Sequence, residues 1–213
     1  MLKKAFPWLY DDSQQPVEEG SIIATGEKVV LREKSLSDVA DDYAWRTDEE
    51  LSRLDATRPI TMSYDAFMRY SREEMQFTSP SSKRLAIDTH DGVHIGNCMY
   101  YDINYRRSET ELGIMIGDRR YWGKGYGTDA VRTLLTHIFT TTDLNRVYLH
   151  TLEWNDRAKY SFAKAGFGEM RSVFRSGLDF MRMDISRDDW ETLNTAAFDS
   201  EDESSSTNGS QAS

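Results

Sequence analysis

The amino-acid sequence predicts a mixed α+β fold with a mostly antiparallel sheet, and three observations lead to this class. Three strand-like runs follow one another with no helix between them, which excludes a doubly wound parallel sheet. Asp91-Gly92 separates two of these runs and is a strong signal for a tight hairpin. A later segment repeats apolar residues at helical spacing, which predicts a helix packed on the sheet through Val131, Leu134, Leu135 and Ile138.

The first half of the domain reads as one strand, three short helices and a hairpin. Ser37 and Ser63 stand where helix N-caps are expected, because a hydroxyl there can accept from a free backbone amide. Pro59 breaks the chain before the third helix. The predicted elements are a strand at Lys28–Arg32, helices at Asp38–Arg46, Asp48–Leu54 and Tyr64–Phe77, and hairpin strands at Arg84–Thr89 and Val93–Ile103.

The second half alternates strands and helices before a final hairpin. Gly166 stands where a left-handed C-terminal cap would end a helix. Ser176-Gly177 marks the last hairpin turn, and Asp188-Asp189-Trp190 begins a short helix. The predicted elements are the central strand Thr110–Ile116, a helix from Asp129, a strand at Arg146–Thr151, a helix at Asn155–Ala165, and hairpin strands at Phe167–Arg175 and Leu178–Ile185.

The sequence divides into one domain with a tail at each end. Residues 1–25 form an extension with weak pattern, whose aromatic side chains fit docking on the domain or on a partner equally well. The predicted domain spans residues 26–190. Residues 191–213 are acidic and serine-rich, with too little apolar surface to fold, so we predict a disordered tail.

The composition excludes several classes of protein. A formal net charge of −10 argues against a general nucleic-acid binder and against an anionic membrane surface as partner. Cys98 is the only cysteine, so neither an intrachain disulfide nor a cysteine-based zinc site is possible. No run is apolar enough for a signal peptide or a membrane span. We therefore expect a soluble cytoplasmic protein, monomeric or homodimeric, that needs no metal.

The most informative stretch lies between the central strand and the next helix. It places glycines at alternate positions, Gly123, Gly125 and Gly127, just where the helix begins. The first amides of a helix lack helical partners and carry partial positive charge, so such a turn is suited to bind an anion. Arg119, Arg120 and Lys124 surround the turn in an otherwise acidic chain. An ordinary glycine-rich connection with surface arginines is the alternative.

Two motifs together resemble the GNAT superfamily of acetyl-CoA-dependent N-acetyltransferases, and most closely its branch of ribosomal-protein N-terminal and spermidine acetyltransferases. The first motif is Trp-Gly-Lys-Gly-Tyr-Gly-Thr at 122–128, after the central strand. The second is Asn155-Asp156-Arg157-Ala158, followed by Ala-Lys-Ala-Gly-Phe at 163–167. The resemblance covers about Lys28 to Ile185. It implies helices on both faces of the sheet, strands that splay apart between the fourth and the fifth, and acetyl-CoA as co-substrate.

The resemblance also implies which residues hold acetyl-CoA. The pantetheine arm would pair with the backbone of Ile114, Met115 and Ile116, and the pyrophosphate would lie on the amides from Gly123 to Thr128. Asn155 would bind the pantetheine side, although a helix N-cap is an equally good interpretation. The full set of predicted cofactor-binding residues is Ile114, Met115, Ile116, Arg119, Trp122, Gly123, Lys124, Gly125, Tyr126, Gly127, Thr128, Asn155 and Phe162.

The sequence departs from the family pattern at two positions. Trp122 opens the glycine turn where relatives often have Gln or Arg, so a side-chain contact to phosphate would come from Arg119, Arg120 or Lys124. Phe162 stands where many relatives have a tyrosine that protonates the departing thiolate. Its neighbours Tyr160 and Ser161 are expected to point elsewhere on the helix.

The predicted reaction is direct attack of a neutral primary amine, a protein N-terminal α-amine or a small amine. Deprotonation at pH 7 costs roughly 4.6 kcal/mol for a lysine-like amine but only roughly 1–1.4 kcal/mol for an α-amine. Glu111 on the central strand is the predicted base, acting directly or through water, and His150 is a weaker candidate. His90 and His94 are expected at the surface. Acidic residues of the early helices either attract the amine or form a solvated face. The alternative function is a non-catalytic acyl-CoA-binding module.

Overall fold

The structure, a computed structural model, describes residues 20–77 and 79–195. Among these residues, eight strands form one sheet in the order β1-β2-β3-β4-β5-β6-β8-β7, in which only the β5–β6 pair is parallel. The predicted mixed, mostly antiparallel class is therefore confirmed. The strands are β1 Ile22–Thr25, β2 Val29–Glu33, β3 Ser82–Thr89, β4 His94–Asn104, β5 Glu109–Ile116, β6 Arg146–Leu152, β7 Glu169–Arg175 and β8 Leu178–Ser186.

Helices fill the connections that the sequence pattern assigned to them. They are α1 Val39–Thr47, α2 Glu49–Leu54, α3 Tyr64–Gln76, α4 Tyr126–Thr141, α5 Asp156–Lys164 and α6 at 187–195. Ser63 caps α3 as predicted. The predicted cap at Ser37 is wrong, because a 3-10 turn begins earlier and Ser35 forms a capping box with Asp38 instead. No helix in the described ranges is long and apolar enough to cross a membrane.

The central helix α4 packs through the apolar stripe that its sequence predicted. Val131, Leu134, Leu135 and Ile138 are at most 1% exposed and lie in the main hydrophobic core. Helices cover both faces of the sheet. Successive strand residues point to opposite sides, so neighbouring residues of one strand show which helix lies on each face. On β2, Leu31 belongs to the same core as α4, whereas the adjacent Arg32 binds Asp38 next to α1.

The two strands that flank the glycine turn separate partway along their length. The β5–β6 ladder joins Glu109 to Arg146 and ends at Glu111 opposite Tyr148. Both strands continue beyond that point, β5 to Ile116 and β6 to Leu152. The predicted splay is therefore confirmed, and in the described part of the chain one edge of β5 has no strand partner after Glu111. The splay falls between the fifth and sixth strands, since β1 adds one strand to the predicted count.

The strand β1 lies within residues 1–25, for which an extension of weak pattern was predicted. Ile22–Thr25 pairs with β2 in an antiparallel hairpin. The weak pattern of this segment hid the strand, because β1 lies at the sheet edge and half of its short length is exposed. Residues 1–19 and 196–213, which hold most of the predicted extension and tail, lie outside the described residues.

Candidate active site

The glycine turn adopts the backbone that its sequence requires. Gly123 has φ +70° and Gly125 has φ +88°, in the left-handed region that glycine enters without a side-chain penalty. Gly125 is the N-cap of α4, and no side chain caps that end of the helix. Within residues 20–77 and 79–195, the first amides of α4 therefore have no side-chain partner, and free amides at a helix start are suited to bind an anion.

A cleft of about 550 Å³ opens in front of this turn. Its lining brings together α2, the end of β5, the start of α4 and one face of α5 along the length of that helix. Among the predicted cofactor residues, the cleft is lined by Ile114, Met115, Ile116, Trp122, Gly123, Gly125, Gly127, Thr128, Asn155 and Phe162. The lining does not include Arg119, Lys124, Tyr126 or the predicted base Glu111. Asn155 is a helix N-cap, since its Oδ1 accepts from the Ala158 amide at 3.2 Å, and it also lines the cleft, while its contact with pantetheine stays a prediction.

Trp122 ties the glycine turn to the end of the central strand. Its indole Nε1 donates to the Ile116 carbonyl at 2.7 Å, so that carbonyl already has a partner. The Arg157 guanidinium lies 3.7 Å from the centre of the indole ring. This cation–π contact fixes an arginine from α5 beside the turn. Trp122 therefore supplies no charge of its own at this position. Its ring instead holds the charged side chain of Arg157 beside the glycine turn.

The arginines that the sequence assigned to phosphate are engaged elsewhere. Arg119 lies 2.8 Å from both Asp48 and Glu50. Arg120 lies 2.6 Å from Asp118. Neither Arg119 nor Arg120 lines the cleft, so the structure gives no support to the phosphate contacts expected from them.

Other cations line the cleft in their place, and sequence reasoning missed them. They are Lys28, Arg132, Arg157 and Lys164. Within the described ranges, Arg132, Arg157 and Lys164 form no ion pair with a carboxylate. These residues come from three separate elements, so no local motif gathers them. The position of Arg157, inside the Asn155 motif, was the one available signal.

The side chains near the predicted acid position differ partly from expectation. Phe162 is 9% exposed and packs edge-on against Phe167, with ring centroids 6.1 Å apart. It cannot donate a proton. The expectation that Tyr160 and Ser161 point elsewhere is wrong, because both line the cleft. The Ser161 hydroxyl lies 2.8 Å from that of Thr128, since α5 packs beside the first turn of α4.

Glu111 and His150 form a buried pair where the two central strands begin to separate. Glu111 is 3% exposed, and its Oε1 lies 2.8 Å from His150 Nδ1. Arg175 lies 3.7 Å from the other carboxylate oxygen. Burial alone would raise the pKa of Glu111, but hydrogen bonds from His150 and Tyr101 and the charge of Arg175 lower it. A carboxylate with a lowered pKa and two hydrogen-bond donors is a weak base on its own.

The acidic cluster of the early helices is largely neutralised inside the domain. Arg32 pairs with Asp38 at 2.7 Å, and Lys34 pairs with Asp42 at 2.7 Å. Asp48 and Glu50 bind the arginine described above, which leaves little free negative charge for a cationic amine. His94 is not the surface residue that we expected, because its side chain is buried 4.9 Å from the Trp45 ring.

Comparisons with known proteins agree with this arrangement. Residues 28–168 match the family model described as the acetyltransferase (GNAT) domain. Human alpha/beta-tubulin-N-acetyltransferase 9 is 28% identical over 164 residues, which cover 70% of this chain and 78% of that protein. Spermidine N(1)-acetyltransferase from Escherichia coli K12 is 29% identical over 114 residues, which cover 52% of this chain and 61% of that enzyme.

Solved structures share the fold. Spermidine N-acetyltransferase from Vibrio cholerae, in complex with CoA and spermine, gives a TM-score of 0.67 at 21% identity, over 76% of this chain and 97% of that one. Aminoglycoside acetyltransferase AAC(6')-Ib, in complex with coenzyme A, gives 0.66 at 19% identity, over 78% and 99%. The chain therefore belongs to the GNAT acetyltransferase family, whose reaction, acetyl transfer from acetyl-CoA to an amine, is the one that its glycine turn and asparagine motif predicted.

Proposed function

We propose that the chain acetylates the α-amine of a peptide or protein N-terminus, with His150 as the base and Glu111 as the residue that orients it. The observation that carries this proposal is the Glu111–His150 pair at the point where β5 and β6 separate. Acetyl-CoA supplies an acetyl group activated as a thioester. The residues of the chain bind it, orient the amine and accept the proton of the amine.

The cleft has the groups that acetyl-CoA requires. Uncapped amides of α4 offer donors to a pyrophosphate, and Arg157 adds a cation beside them. The unpaired edge of β5 offers backbone groups to the amides of a pantetheine arm, with Ile114 and Met115 in the cleft lining. Backbone amides along the same edge can also stabilise charge on the thioester oxygen.

The hydrogen bond to Glu111 defines the tautomer of His150. A carboxylate accepts, so Nδ1 carries the proton that it donates, and a neutral ring keeps its lone pair on Nε2. Nε2 forms no hydrogen bond within the described ranges. His150 can therefore accept a proton at Nε2, while Glu111 stabilises the cationic ring that results. Glu111 acts here as a positioning residue, which agrees with its burial.

Proton affinity favours an α-amine as the acceptor. An α-amine has an ordinary pKa of about 7.7–8.0 and a lysine-like amine one of about 10.4. Whatever base accepts the proton, its transfer therefore costs roughly 3 kcal/mol less from an α-ammonium than from a polyamine. The internal pairing of Asp38 and Asp42 also removes negative charge that a polycation would need. The human relative named above acts on a protein, tubulin, which agrees with this acceptor class.

A thiol-release assay tests the proposed acceptor. The substrates are a peptide with a free N-terminus and no lysine, a peptide with a blocked N-terminus and one internal lysine, and spermidine. We expect kcat/KM for the free N-terminus to exceed that for spermidine by about tenfold or more. A preference for spermidine or for the blocked peptide would contradict the proposal. Acetyl-CoA binding without thiol release across the panel would favour a binding module, and absence of binding would remove both.

The variant Phe162→Tyr tests whether a missing proton donor limits the rate. We expect kcat to rise by less than about tenfold, because a thiolate with a pKa near 8.5 can leave without protonation. The measurement is kcat with saturating acetyl-CoA and a peptide N-terminus. Affinity for CoA, measured by calorimetry, serves as the control for packing against Phe167. A rise of about a hundredfold would mean that protonation of the leaving group limits the wild-type reaction.

A further inference from the structure

The turn between β1 and β2 lies against the start of α4, and this contact gives the N-terminal hairpin a function. We propose that this turn forms part of the cofactor site and that Lys28 contacts the pyrophosphate held by the glycine turn. The inference rests on the proposed function, because it requires CoA in the cleft. The inference goes beyond the proposed function, because Lys28 lies outside both sequence motifs and neither motif gives it a role.

Asp129 in the first turn of α4 fixes the β1–β2 turn in place. Its carboxylate accepts from the amides of Glu27 at 3.1 Å, Lys28 at 2.7 Å and Val29 at 3.1 Å. Three bonds from successive amides to one carboxylate leave the turn little freedom. Since Asp129 belongs to the helix that begins at the glycine turn, the position of Lys28 is set relative to that turn.

The approach of the two segments is close enough to require glycine in the hairpin. A Cβ at Gly26 would overlap the Thr133 hydroxyl and the Asp129 carboxylate. The Thr133 hydroxyl is itself bound to the Asp129 carbonyl at 2.8 Å, so it is not free to move aside. The hairpin backbone therefore packs directly against these two α4 side chains, with no room for a side chain of its own at this position.

The Lys28 side chain runs alongside the glycine turn. A Cβ at Gly125 would lie 3.5 Å from Lys28 Cε, and both residues line the cleft. The nearest carboxylate to the ammonium is that of Glu27, 3.7 Å away, and the two side chains are 41% and 77% exposed. Such an exposed pair contributes little in water, so the ammonium can turn to a phosphate at small cost.

The charge of the site gives Lys28 its importance. A pyrophosphate bears two negative charges, and amide donors alone do not neutralise them. Neither Arg119 nor Arg120 lines the cleft. Lys28 on the hairpin and Arg157 on α5 are the cations that the fold brings to this part of the cleft instead. A lysine acts as a mobile point charge, which suits a phosphate that is already oriented by backbone amides.

Calorimetric titration of the full chain with CoA tests this proposal without turnover. We expect Lys28→Gln to weaken CoA binding by about tenfold, the effect of one charge-assisted hydrogen bond. Dephospho-CoA should show the same loss, because it keeps the pyrophosphate and lacks only the 3′-phosphate. The matched control is Lys83→Gln, at a lysine of similar exposure that pairs with Glu33 and does not line the cleft. We expect the control to bind CoA as the wild type does.

Two further variants separate a direct contact from a change in folding. Lys28→Arg keeps the charge and should recover most of the affinity. Gly26→Ala should displace the turn and weaken CoA binding about as much as Lys28→Gln, and the double variant should be no weaker than either alone. In kinetics with S-acetyl-pantetheine, which has no pyrophosphate, Lys28→Gln should match the wild type.

The outcomes distinguish this inference from the proposed function. Failure of the wild type to bind CoA would overturn the proposed function. Wild-type binding with Lys28→Gln equal to Lys83→Gln would overturn the contact alone. A loss with CoA that is absent with dephospho-CoA would place Lys28 at the 3′-phosphate and contradict the assignment to the glycine turn.

Discussion

Replacing Glu111 by Gln should lower kcat/KM for a peptide N-terminus by about a hundredfold. General-base catalysis by a positioned side chain contributes about 10²–10⁴-fold. Glutamine keeps the shape but removes the charge that orients His150 and stabilises it as a cation. His150→Gln should cost at least as much, and the double variant should be no slower than His150→Gln, because the two residues act as one unit. The measurement is thiol release at low substrate concentration.

A control substitution separates this mechanism from a purely structural role. The matched control is Glu109→Gln, two residues earlier on the same face of β5, where the carboxylate lies 3.7 Å from Arg182. We expect the control to keep most of the wild-type kcat/KM, because its carboxylate does not contact His150. An equal loss in the control would remove Glu111 from the mechanism.

Replacing Arg32 by Ala should lower the free energy of unfolding by about 3–5 kcal/mol, the usual cost of breaking a buried ion pair from one side. Its guanidinium lies 2.7 Å from Asp38 and 2.6 Å from Asp88, and all three side chains are at most 13% exposed. The substitution leaves two buried carboxylates without their shared partner. Urea unfolding at pH 7 measures the loss. Arg106→Ala, at an exposed loop position, should change stability by less than about 0.5 kcal/mol.

The same network makes stability depend on acid. Burial alone would raise the pKa of Asp38, but the hydrogen bond from Arg32 and the charge of Lys34 lower it to about 2 from 3.8. A carboxyl whose pKa is lower in the folded state stabilises the fold at pH values above its unfolded-state pKa. This stabilisation is lost as the pH falls through the folded-state pKa. We therefore expect about 2 kcal/mol to disappear between about pH 4 and pH 2. Asp38→Asn should show a correspondingly flatter acid limb, and an unchanged limb would contradict this assignment.

This network also bears on the active site. Asp38 caps the turn before α1 by accepting from the Ser35 amide at 2.8 Å. The helix that follows α1 contributes Leu51 and Leu54 to the cleft. Stability lost at Arg32 or Asp38 should therefore reduce CoA binding as well, although neither residue lines the cleft.

The sequence alone predicted the parts of the fold that depend on neighbouring residues. The apolar stripe from Val131 to Ile138 follows from helical periodicity, and the positions of Gly123 and Gly125 follow from backbone freedom. Asn155 was recognised because its motif is contiguous. The family and its reaction could be recognised from these local patterns, because the glycine turn and the asparagine motif each consist of neighbouring residues.

Only the tertiary structure decided which charges are free and which are paired. Arg119 and Arg120 appeared well placed for phosphate, yet they pair with Asp48 and Asp118, and neither lines the cleft. Lys28 reaches the glycine turn from about a hundred residues away, through Asp129. The Glu111–His150 pair likewise joins two strands that the sequence separates by a helix. An ion pair depends on distance in space, and periodicity along a chain carries no information about which distant side chain will be closest.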